Sequence, residues 1–341
     1  MAFKALDSFV RFVSMGALAT HKARRILEAR GYPVIELERH AGSNKIWQTK
    51  VKRLRVPDLL CIRTGIRFEV RAKSNLEIKM SHSRDNPDRS WDAGMRDQDV
   101  VIFMKVYDDA GVVRVAETLN AFRVSDMRES RESARLGRPK SSSEGAEQDL
   151  TWPAWVPGKG GRIDSVGRSD DARVRSVRVR YDDGRAYTYS RMAGKHLYLA
   201  EGESFPGEEA FLLGAPARAA ALDASEASWD PAADLASESD IDRYAAIKAF
   251  YRLDPEPVTE TLIAAVGDPA TDMRLRLEAA GVLAFHGMEE GASFLYDRSA
   301  DEQEGPEWLM ESVFILSELA AMPGVADVLA RAADISPHPE A

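Results

Sequence analysis

Between Arg55 and Lys73 the chain reads RVPDLLCIRTGIRFEVRAK, and Asp58, Glu69, Arg71 and Lys73 have types and spacing suited to chemistry. Two apolar runs, Leu59–Ile62 and Ile66–Ala72, flank Thr64-Gly65, the composition of a tight β-hairpin. In the second run Ile66, Phe68, Val70 and Ala72 alternate with Arg67, Glu69, Arg71 and Lys73. Strand side chains point to opposite faces with a period of two, so one face is apolar and the other charged. A loop of two or four residues sets Asp58 across from Arg71 and diagonal to Glu69. Such neighbours lie about 5 to 8 Å apart, near enough for both carboxylates to share a divalent cation. The matching chemistry is metal-assisted hydrolysis of a phosphodiester: Asp58 and Glu69 hold Mg²⁺ or Mn²⁺, and the ion polarises the phosphate and activates water. Arg71 stays protonated, so it steadies charge but accepts no proton, and Lys73 on the same face supplies an amine that can.

These residues need a frame. Residues 3–13 carry Phe3, Leu6, Phe9, Val10 and Val13 at helical spacing, a second helix follows from about Leu18, and Pro33–Arg39 reads as a first strand. Lys45 to Arg55 is the densest basic run, with Lys45, Lys50, Lys52, Arg53 and Arg55 around Trp47. A basic loop with an aromatic beside a metal site suits an entering nucleic-acid strand. Ser74–Arg96 reads as a loop and short helix bordering the site, and its His82 is counted among the nucleic-acid contacts and, as a histidine, also qualifies as a proton carrier. Asp99–Tyr107 returns as an apolar strand.

The order helix, strand, Pro57-Asp58, then Glu69-Val70-Arg71 resembles the PD-(D/E)xK nuclease superfamily, over about residues 15 to 106. That superfamily includes many restriction enzymes and the archaeal Holliday-junction resolvases. The resemblance implies that Asp58 is the metal-binding aspartate and Glu69 the second acidic ligand. Arg71 stands where the family usually has lysine. Arg39, Gly42 and Ser43 fall where resolvases carry an arginine and serine after the first strand, which puts Arg39 and Ser43 on the nucleic acid. Thr20 and His21 occupy the region of the family's helix glutamate. The resemblance implies a Mg²⁺-dependent endonuclease acting on DNA, in repair or in defence against foreign DNA, working as a homodimer. The arginine and the missing helix acid support the alternative, a catalytically inactive nucleic-acid-binding adaptor or scaffold that keeps the fold.

With 44% apolar and 30% charged residues the composition is that of a globular chain, and no apolar run reaches the ~20 residues needed to span a bilayer. The single cysteine, Cys61, fits a reducing cytoplasm and core packing. The net charge of −9 is unevenly spread. Residues 1–100 carry 20 Lys/Arg against 12 Asp/Glu, whereas residues 206–341 carry 8 against 27. Phosphate repels an acidic surface, so the reading assigns DNA to the N-terminal part and a protein partner to the acidic C-terminal part.

The expected architecture is α+β and multidomain. Residues 1–135 form a restriction-endonuclease-like α/β core. Residues 136–151 form a Ser/Gly-rich linker. Residues 152–214 form a small β-barrel, SH3-like in length and patterning, with an Asp183-Gly184 hairpin signal. Residues 215–240 form an acidic linker. Residues 241–335 form an α-solenoid: Arg243–Leu253 pairs with Pro257–Val266, Met273–Phe285 with Gly291–Asp297, and Trp308–Leu319 with Val325–Ala333. The string DPATDMRLRLEAAGVLAFHG resembles a HEAT repeat.

Overall fold

The structure is a computed structural model that describes residues 6–38, 54–109, 112–140, 147–170, 173–190, 194–217, 222, 228–300, 305–320 and 324–335. It is mixed α+β, with several small sheets and a C-terminal helical region. The chain divides into two compact units, one of residues 1–34, 57–59 and 66–226, the other of residues 35–56, 60–65 and 227–341.

A single helix, α1 (Leu6–Ala29), replaces the two expected. Gly16 lies in its middle, where an added Cβ would meet nothing within 4 Å. A mid-helix glycine costs only about 1 kcal/mol, too little to break a helix anchored by packing. Met15, Ala19, Ala23 and Leu27 recur at helical spacing and are buried, and α1 packs on two strands, β3 (Arg67–Lys73) and β5 (Val100–Asp109). With β1 (Val34–Glu36), β2 (Leu59–Cys61), β6 (Val112–Val115) and β7 (Asn120–Arg123) they form a mixed sheet of order β1-β2-β3-β5-β6, β7 pairing with β5. β3 and β5 run parallel, with Glu69 opposite Val101, Arg71 opposite Phe103 and Lys73 opposite Lys105. Val100–Met104 are all buried, as a central parallel strand requires. Cys61 is a buried free thiol, as expected.

Ser74–Arg96 is not a loop and helix alone. It contains strand β4 (Ile78–His82), which pairs antiparallel with β9 (Gln148–Trp152), and β9 pairs with β8 (Arg135–Leu136). The expected linker thus ends in a strand. Ile78 and Met80 lie opposite Trp152 and Leu150, and all four are buried. Trp152 meets Trp91 edge-on at 5.2 Å. Lys79, Ser81 and Thr151 alternate with these apolar residues and gave both stretches the look of loops.

Residues 154–214 form two open sheets, and no closed barrel forms among the described residues. One has the order β13-β12-β11-β15, from β11 (Gly161–Arg168), β12 (Val174–Tyr181), β13 (Ala186–Tyr189) and β15 (Ser204–Phe205). The other has the order β10-β16-β14, from β10 (Ala154–Trp155), β14 (His196–Leu197) and β16 (Leu213–Gly214). Strands of two residues are too short for the staggered pairing on both edges that closure needs. The two sheets share a core of Ile163, Val177, Val179, Phe205, Leu212 and Leu213.

The second unit holds the expected helix pairs: α4 (Asp240–Ala249) with α5 (Thr259–Gly267), α6 (Met273–Phe285) with α7 (Glu289–Ala300), and α8 (Pro306–Glu318) with α9 (Val325–Ile335). Ser239 and Asp272 cap α4 and α6 by accepting backbone N–H bonds. α6 packs on α4, α5, α7 and α8, the neighbour and next-neighbour pattern of stacked hairpins. Not every acid faces outward: Glu278 is 1% exposed and pairs with buried Lys248 at 3.5 Å. Ile35, Leu37 and Leu60 pack with Ala245 and Ala249 of α4 in one cluster of this unit.

The expected acidic linker is structured at its end. Residues 231–234 form a short helix, α3 (Pro231–Asp234). The Trp229 backbone N–H donates to Arg63 O at 2.9 Å, and its indole N–H donates to Asp234 Oδ2 at 2.9 Å. Gly65 has φ +69°, and a Cβ there would lie 2.6 Å from Trp229 Cγ. A side chain would suffer both the left-handed backbone and the collision. Gly65→Ala is therefore expected to lower stability by about 2–4 kcal/mol in urea unfolding. An unchanged midpoint would show that the indole is not seated on this turn.

Candidate functional site

Asp58 lies one residue before β2 and is half-buried. Its Oδ2 accepts the backbone N–H of Val70 at 2.6 Å. This bond holds the carboxylate beside the β3 position between Glu69 and Arg71, close to the cross-strand placement expected from the hairpin. Glu69 and Arg71 form an ion pair with each other, and their side chains are 15% and 34% exposed.

Lys73 continues the same face. Its ammonium donates to the carbonyl of Lys79 at 2.7 Å and lies 5.9 Å from the centre of the Phe103 ring. Burial, then the neighbouring Arg71 and Lys79 charges, lower its pKa to about 8. At neutral pH a measurable fraction of this amine is therefore uncharged, as a proton acceptor requires.

Arg67, the fourth charge of the alternation, does not face solvent with the others. It is 2% exposed and pairs with Asp99, which is fully buried. Arg67 N and Nε donate to Asp99 Oδ1 and Oδ2 at 3.0 and 2.9 Å, and Arg96 N donates to Oδ2 at 2.7 Å. Burial pushes the Asp99 carboxyl up, against the opposing pull of Arg67 and these donors. The pair ties the starts of the parallel strands together. It escaped the sequence reading because the two residues are far apart in the chain, and Asp99 reads there only as a strand boundary.

His82 lies in strand β4, half-buried, with Nδ1 accepting the Trp91 N–H at 3.3 Å. It thus stands at the end of a strand and not in the expected loop. Thr20 and His21 both lie in α1, Thr20 buried and His21 exposed. Arg55 is half-buried. Arg39, Gly42, Ser43, Lys45, Trp47, Lys50, Lys52 and Arg53 lie outside the described residues. The carbonyl of Lys79 was also missed, because its segment read as a loop.

Asp58 and Glu69 offer hard oxygen donors. Among the described residues no group of three or more His, Cys, Asp or Glu side chains converges. Mg²⁺ is commonly held by one or two carboxylates, with waters and substrate phosphates completing its shell, so this donor set fits Mg²⁺. No protein-family model matches the chain. Comparisons with curated proteins and with solved structures likewise give no significant match.

Proposed function

We propose that the chain is a Mg²⁺-dependent nuclease that hydrolyses DNA phosphodiester bonds, acting in repair or in defence against foreign DNA. The observation that carries this reading is the row Glu69, Arg71 and Lys73 on one face of β3, with the Asp58 carboxylate bonded to the Val70 N–H beside it and the Lys73 amine lowered to about 8. Asp58 and Glu69 would hold the ion, which supplies Lewis-acid activation of phosphate and water when bound. Lys73, in its neutral form, takes the proton of the attacking water. Arg71 faces the phosphate and offsets charge that grows on its oxygens. In this reading the mixed sheet with α1 is a restriction-endonuclease-like core, the paired sheets are a relative of SH3-like folds, and the stacked hairpins are HEAT-like. A homodimer and a protein partner on the acidic helices belong to the same proposal.

The second reading, a non-catalytic nucleic-acid-binding adaptor, has its own support. Glu69 is ion-paired to Arg71, which competes with a cation for that carboxylate. Duplex, branched and single-stranded DNA and RNA incubated with Mg²⁺ or Mn²⁺, with a chelated control, separate the two. Metal-dependent cleavage is expected, and Arg71→Lys is expected to retain or raise it. Absence of cleavage for every substrate with both ions leaves the adaptor.

A further inference from the structure

The outer face of the four-stranded sheet carries an arrangement that the candidate site does not use. In β12, Val177 and Val179 are buried, which turns Arg178 and Arg180 outward. In β11, Arg162 stands directly opposite Arg180, and Ser165 opposite Arg178. The register shifts between Ile163 and Ser165, so Asp164 is the extra residue of a bulge. Its carboxylate sits among all three guanidiniums. Arg180 Nη2 and Nε lie 2.7 and 3.2 Å from its oxygens, Arg162 Nε 3.3 Å and Arg178 Nε 4.0 Å. The arginine side chains are 59% (Arg162), 54% (Arg178) and 45% (Arg180) exposed, while Asp164 is only 10% exposed beneath them.

Like charges placed directly across a strand pair destabilise a sheet, and one carboxylate neutralises only one of three cations here. On the neighbouring strand β13, Thr188 faces Arg178 and Ala186 faces Arg180, so that strand adds no acid at these positions. Residues 159–195 hold 10 Lys/Arg against 5 Asp/Glu in a chain whose net charge is −9. The surplus is therefore local and outward. Guanidinium forks fixed on a rigid sheet are matched to phosphate oxygens.

We propose that this face, centred on Arg162, Arg178 and Arg180, is a docking surface for the sugar-phosphate backbone of duplex DNA. The choice of DNA rests on the nuclease reading above. The face itself makes backbone contacts without reading bases, and Asp164 limits its affinity by holding the three arginines and repelling phosphate.

The test is binding of a short labelled duplex by the full chain, in chelator and without added metal, over a salt series from about 50 to 200 mM. The triple variant R162Q/R178Q/R180Q is expected to bind about 10- to 100-fold more weakly, with a log K against log salt slope shallower by about 3. Asp164→Asn is expected to bind about two- to fivefold more tightly, since it removes the one opposing charge. Unchanged affinity and slope in a folded triple variant would overturn the proposal. Should that variant not fold, Asp164→Asn decides alone: tighter binding supports the proposal, and equal or weaker binding overturns it. Retention on anionic lipid vesicles with no binding of DNA also overturns it. Because no cleavage is measured, a chain that binds through this face and cuts nothing removes the nuclease reading only. A chain that cuts DNA and ignores the triple variant removes this one only.

Discussion

Asp58→Asn should reduce Mg²⁺-dependent cleavage by on the order of 10³-fold or more, while leaving the fold nearly as stable as before. Several kcal/mol of charge stabilisation ride on a metal held by two carboxylates, and 4 kcal/mol is already about a thousandfold in rate. The amide is the informative replacement because Asp58 has a second task. Its Oδ2 accepts the Val70 N–H, and an asparagine oxygen can still accept that bond. Asp58→Ala cannot, and leaving a half-buried N–H unsatisfied should cost about 1–3 kcal/mol on top of the lost activity. Cleavage assays with Mg²⁺ and thermal melts of both variants read these effects separately. Full activity in Asp58→Asn would remove Asp58 from any metal site. Equal melting temperatures for the two variants would mean that the Val70 bond contributes nothing.

Lys73→Met should lose activity by about 10²- to 10⁴-fold, the usual share of a positioned base, and yet melt higher than the parent chain at pH 7. The folded-state pKa of about 8 lies below the ordinary lysine value of 10.5, chiefly because burial penalises the charged form. Below about pH 8 the folded protein carries that full penalty, and as pH rises from 8 towards 10.5 the penalty fades. The stability gain from removing Lys73, about 1–3 kcal/mol for this half-buried group, should thus be largest at neutral pH and shrink by about pH 10. Cleavage by the parent chain should climb with pH, half-maximal near 8 and levelling off about one unit higher, because the neutral amine is the active form. A flat profile from pH 6 to 9, or a methionine variant that cuts normally, would take Lys73 out of proton transfer.

The parts of this molecule legible in its sequence were those written in local periodicity. The three helix pairs from Asp240 onward match because each helix announces its apolar stripe and its ends within a dozen residues. Strand β3 was legible for the same reason: alternation over seven residues placed Glu69, Arg71 and Lys73 on one face. The errors come from pairings across distance. β4 and β9 are short and polar enough to read as loop and linker, and only their pairing buries Met80, Leu150 and Trp152. Arg67 looked like a surface charge until Asp99 was brought against it from the parallel strand. The strands of residues 154–214 look like a barrel by spacing, but four of the seven span two residues. Two helices are expected where α1 runs unbroken, because packing on both sides of Gly16 outweighs the low helix propensity of glycine.

The two units do not follow one another along the chain. The path changes unit five times, at residues 34/35, 56/57, 59/60, 65/66 and 226/227. Ile35, Leu37 and Leu60 belong to a cluster completed by Ala245 and Ala249, which the ribosome delivers much later. At about 5–20 residues per second, the interval between residues 65 and 227 is on the order of ten to thirty seconds. Throughout that interval a nascent chain holds an apolar stretch whose covering helix does not yet exist. Such a chain folds its second unit only after nearly all of it has been made, and a truncation between Leu60 and α4 leaves those residues without their covering helix.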